Sequence, residues 1–68
     1  MRSKFSIQEV GKMLDMKPSQ VEDEIDDGYL GYTYEDGDKK VTLYDLEKYM
    51  GAERTREITR EFLQHKQD

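Results

Sequence analysis

The sequence predicts a mainly α domain with one small β-hairpin. Three observations predict it. Residues of the Ser/Thr/Pro type stand ahead of apolar residues spaced i, i+4, which is how amphipathic helices begin. An Asp-Gly pair sits between two runs rich in β-favouring residues. At 68 residues the chain has room for one domain, and a domain of this size buries only about 60% of the surface its unfolded form exposes.

The first helix opens with Ser6 and Glu9, an S-x-x-E capping box, and Phe5 and Val10 have the spacing of a hydrophobic staple. Ile7, Val10 and Leu14 share one face, and the helix runs from near Ile7 to near Asp15 and Met16. Pro18 suits a first helical position, because its missing N–H is not needed there. Val21 and Ile25 continue a second helix until Gly28 offers a C-terminal stop, and Met16 and Val21 repeat the staple spacing. The run from Tyr29 to Tyr34 predicts a strand, Glu35-Asp36-Gly37-Asp38 a turn, and Lys39-Lys40-Val41 the return strand. Thr42 with Asp45 marks a third helix carrying Leu43, Leu46 and Tyr49 and ending at Gly51, and Val41 and Leu46 form a third staple. Residues 52–68 read as a further polar helix with a thin apolar stripe of Ile58, Phe62 and Leu63. Its Glu53/Arg56 and Glu57/Arg60 pairs each add a few tenths of a kcal/mol at most. A helix of about 15 residues is marginal alone in water, so it docks, pairs or frays. The chain thus divides into a domain over 1–50 and a helical extension over 51–68.

Composition excludes several classes. The chain has no cysteine, which rules out disulfides, thiolate metal sites and thiol redox chemistry. No apolar run approaches the roughly 20 residues of a membrane span. The start, Met1-Arg2-Ser3-Lys4-Phe5, lacks the apolar stretch of a signal peptide, so a cytoplasmic location is expected. Charged residues make up 40% of the chain, yet the regular spacing of the apolar residues argues for folding.

Four segments, in order, carry a resemblance. Phe5-Ser6-Ile7-Gln8-Glu9-Val10 is similar to the opening of excisionase-like and MerR-like domains, and Pro18-Ser19-Gln20-Val21 to the start of their second helix. Asp26-Asp27-Gly28-Tyr29-Leu30 resembles the segment leading into their wing, and Val41-Thr42-Leu43-Tyr44-Asp45-Leu46 the segment that closes it. The resemblance covers roughly residues 4–50. It implies a winged helix-turn-helix, here with an added C-terminal helix, whose second helix enters the DNA major groove while the wing meets the backbone. The function it implies is that of a small DNA-binding regulator or excisionase-like accessory protein of a phage or mobile element. Ser19, Gln20 and Asp23 would face bases, and Lys17, Lys39 and Lys40 would face phosphate, with Arg54, Arg56 and Arg60 as further basic contacts. In MerR-like regulators a helix after the winged domain builds the dimer, which implies a homodimer through Ile58 and Phe62.

The charge distribution points elsewhere. Between Pro18 and Asp38 there are eight acidic residues and no Lys or Arg, against eleven basic and eight acidic residues in the rest of the chain. DNA affinity comes mainly from Lys and Arg neutralising phosphates. A carboxylate can accept from cytosine N4, but the carboxylates from Glu22 to Asp27 are too many to place beside a phosphate backbone. The second expectation is therefore an acidic adaptor or inhibitor on the same fold. It would set Glu22, Asp23, Asp26 and Asp27, with Tyr32 and Tyr34, against a basic and itself nucleic-acid-binding protein. Tyr29 and Tyr49 are expected to pack in the core; the alternation of Tyr32 and Tyr34 places them on one face, for packing or for contact.

No cofactor or metal is expected. Glu35-Asp36-Gly37-Asp38 lacks the spacing of a calcium loop, and successive helical carboxylates point in different directions. His65 has no Cys or second His to share a metal and is expected to be exposed. No nucleophile–base constellation, phosphate-binding glycine loop or paired catalytic carboxylates is present, so no catalysis is expected.

Overall fold

The structure is a computed structural model that describes residues 3–66, with side chains to residue 64. Its elements run β1 (Lys4–Ser6), α1 (Ile7–Leu14), α2 (Pro18–Asp26), β2 (Thr33–Glu35), β3 (Asp38–Thr42), α3 (Leu43–Met50) and α4 (Ala52–Lys66). The chain is mainly helical, with a small antiparallel sheet ordered β1-β3-β2.

The helix starts form where capping chemistry places them. Ser6 Oγ accepts from the Glu9 N–H at 3.1 Å, and the Ser6 N–H donates to Glu9 Oε1 at 2.9 Å. At α3 the Asp45 N–H donates to Thr42 Oγ1 and the Thr42 N–H to Asp45 Oδ2, each at 3.0 Å. Pro18 opens α2, and Gln20 reaches back to accept the Lys17 N–H at 2.8 Å. Between α1 and α2 the chain turns through Asp15 in a left-handed conformation, and the Met16 N–H donates to the Gly11 carbonyl at 2.8 Å. The approach is so close that a Cβ at Gly11 would lie 2.6 Å from the Met16 carbonyl oxygen.

The hairpin turn is Asp36-Gly37, both at positive φ (55° and 85°), flanked by the Glu35–Asp38 pair. Positive φ at both central positions matches the strand twist, which is why Asp-Gly is favoured there. The expected strand over Tyr29–Tyr34 is shorter in the structure: only Thr33–Glu35 pairs, while Tyr29–Tyr32 is irregular. Gly28 takes φ 85°, and the Tyr29 and Leu30 N–H groups are spent on the Glu24 carbonyl, closing the end of α2.

A third strand joins the hairpin. In β1, Phe5 pairs with Val41 and Ser6 with Lys40, which puts Phe5 under the sheet as a fully buried residue. The core consists of Phe5, Val10, Met13, Val21, Ile25, Leu30, Val41 and Leu46, with Ile7, Leu14, Met16, Leu43, Tyr49 and Met50 packed around it. Both members of the Phe5/Val10 and Val41/Leu46 staples are fully buried.

The last helix docks on the rest. α4 packs against α3 and α1, and the Phe62 ring meets Phe5 edge-on at 6.0 Å between centroids. Ile58 and Phe62 are packed against the core of their own chain. Both are half-buried there. Thr55 and Thr59 complete the buried side of α4. Tyr29 also departs from expectation: it is 70% exposed, because the closure of α2 turns residue 29 outward and leaves the core position to Leu30. Tyr49 is half-buried against the core as expected. The side chain of His65 lies outside the described residues. Among the described residues, no helix is long and apolar enough to cross a membrane.

Candidate functional site

The candidate residues gather on the outer face of α2 and the neighbouring hairpin. Val21 and Ile25 face the core, so helical periodicity turns Glu22, Asp23, Asp26 and Asp27 outward, and all four are exposed. Ser19 and Lys17 are exposed at the start of the helix. Gln20 is exposed as well, but its side-chain oxygen is committed to the Lys17 N–H.

The hairpin leans its cation onto this helix. Lys39 Nζ donates to Glu22 Oε1 at 3.2 Å and lies 5.5 Å from the centre of the Tyr32 ring. The hydrogen bond to Glu22 holds the Lys39 ammonium above its ordinary pKa against partial burial, and the charges of Glu22 and Asp26 add to it. Lys40 is half-buried on the neighbouring position of β3. Glu22, Lys39, Lys40, Tyr34 and the first residues of α1 line one open groove of about 450 Å³ between α1, α2 and the hairpin. Lys17 and Gln20 belong to a different recess beside α1, together with Lys12. The lysines expected to face phosphate therefore line two adjoining recesses, which share Gln8 and Pro18.

Tyr32 and Tyr34 do share a face. Their rings meet edge-on, 5.5 Å apart at 84°, and both remain exposed. Adjacent to them, Lys4 of β1 bonds Glu35 at 2.5 Å, and this contact holds the Glu35 carboxyl below the usual carboxylate range. On the inner side of α2, the Tyr49 hydroxyl donates to Glu24 Oε1 at 2.6 Å, which pins α2 to α3 and raises the tyrosine pKa. Glu24 is thereby removed from the outward acidic set.

No family model, curated protein or solved structure matches this chain. Asp23, Asp26 and Asp27 form no ion pair among the described residues, and the exposed Tyr32–Tyr34 pair stands beside Lys39 on the hairpin. Among the described residues no group of His, Cys, Asp or Glu converges to hold a metal ion. The Lys39–Glu22 contact and the exposure of Tyr29 were absent from the sequence expectation. The first depends on where the hairpin lands relative to α2 and the second on how the end of α2 closes onto the Glu24 carbonyl, and no local residue pattern signals either.

Proposed function

We propose that this chain is a non-catalytic protein-binding module of winged-helix type, an acidic adaptor or inhibitor whose α2–hairpin face docks on a basic protein surface. The order helix, helix, hairpin, helix and the segments similar to excisionase-like and MerR-like domains support the winged-helix reading. One observation carries the protein-binding reading. Lys39, the hairpin cation that would face phosphate, is neutralised by Glu22 at 3.2 Å, while Asp23, Asp26 and Asp27 remain exposed. A surface of that sign repels a duplex and raises the encounter rate with a basic partner. The exposed tyrosines beside it supply the rigid, half-apolar contact area that binding hot spots favour. A basic nucleic-acid-binding protein is the partner class this surface fits.

The second reading, a DNA-binding regulator or excisionase-like accessory protein, is supported by the resemblance and by Ser19 and Lys17 standing exposed at the start of α2. One experiment separates the two. The intact chain is titrated against an Arg/Lys-rich peptide and against duplex DNA at low and at near-physiological salt. Protein binding predicts affinity for the peptide that Asp23→Lys with Asp26→Lys removes, and no duplex binding. Duplex binding that weakens when Lys39 and Lys40 are changed to Ala overturns it.

A further inference from the structure

The other side of the molecule carries a second recess. α3 and α4 enclose a half-open, mostly apolar groove of about 470 Å³, within the roughly 300–1,000 Å³ of small-molecule sites. Leu43 of α3 and Leu63 of α4 line it, with the buried Thr55 and Thr59 and the exposed Arg56 and Arg60.

The polar groups there are unequally satisfied. The Thr55 hydroxyl donates to the Gly51 carbonyl at 2.7 Å. Thr59 is 8% exposed, and its hydroxyl oxygen is buried without a hydrogen-bond partner among the described residues. A buried hydroxyl left unpaired is destabilising, and Thr59 belongs to the wall of this groove. Arg56 and Arg60 are one helical turn apart, on the same face. Neither forms an ion pair within 4 Å among the described residues, so the expected Glu53/Arg56 and Glu57/Arg60 pairs are not formed. Glu47 is the acidic residue of the lining, which leaves the groove with net positive charge.

We propose that this groove binds an amphipathic monocarboxylate of medium chain length. The hydrocarbon chain lies along Leu43 and Leu63, and the carboxylate is gripped by Arg56 and Arg60. Guanidinium forks match a carboxylate bidentately, and an apolar trough with a cationic rim selects an acid over an alcohol of the same length. This site is separate from the acidic face and does not depend on what that face binds.

The test uses the intact, isotopically labelled chain and decanoate as probe, below its micelle-forming concentration, with decanol as the uncharged control. Amide shifts are expected to saturate and to concentrate at Leu43 and across Thr55–Leu63. Decanol is expected to bind at least about tenfold more weakly, since it forgoes the charge-assisted hydrogen bonds to the guanidinium groups. Arg56→Gln with Arg60→Gln is expected to remove that preference while the melting temperature and decanol binding stay as they were. Shifts that do not saturate, that scatter onto α2 and the hairpin, or that are equal for acid and alcohol overturn the proposal. So does a double variant that binds decanoate like the parent.

Discussion

Tyr49 and Glu24 show how one side chain can decide what another is free to do. The Tyr49 hydroxyl takes up the Glu24 carboxylate at 2.6 Å, so the inner acidic residue of α2 braces the fold and the outer ones are left for contact. Tyr49→Phe is expected to cost about 1 kcal/mol, the usual net worth of one such bond in a half-buried setting, read as a lower midpoint in denaturant unfolding. The bond to Glu24, helped by burial, raises the tyrosine pKa above its ordinary value of 10.0. A raised folded pKa means that the contribution is fully present below pH 10 and is lost as pH climbs through the folded value. The parent should therefore lose stability in alkali more steeply than Tyr49→Phe. Parallel pH curves for the two proteins would show that the contact contributes nothing.

At the scale of elements, what could be read in advance was whatever is decided within four residues. The boxes at Ser6 and Thr42, the proline start of α2 and the Asp36-Gly37 turn all stand where their residues predict them, because each is decided by residues three or fewer positions apart. The strand β1 was not legible: Lys4–Ser6 is extended only because Phe5 finds Val41 across the sheet, a pairing no local pattern encodes. The loss of the first half of the Tyr29–Tyr34 strand has the same origin, since the Glu24 carbonyl claims the N–H groups a strand would use. The thin stripe of α4 hid its packing as well, because Thr55 and Thr59 complete the buried face and threonine carries little hydrophobic signal. Thr42→Ala removes the acceptor for the Asp45 N–H and is expected to cost about 1 kcal/mol. In a chain of this length that lowers the melting temperature by about 4–8 °C, and an unchanged melting temperature would show that the cap is dispensable.

Across the whole molecule, the candidate site was legible as charge and illegible as geometry. The acidic bias from Pro18 to Asp38 could be counted, and it located the face; that Lys39 would neutralise Glu22, while Lys17 and Gln20 fell into another recess, required the fold. The contact between Phe5 and Phe62 joins the outset of the described chain to its far helix. Its consequence is kinetic. A strand of three residues and a helix that is marginal alone cannot open one without the other while their rings are engaged, so both belong to one cooperative unit. Amide hydrogen exchange should therefore report matching protection for β1 and for the middle of α4. Phe62→Ala should speed exchange in both together, and faster exchange confined to α4 would show that the two open independently.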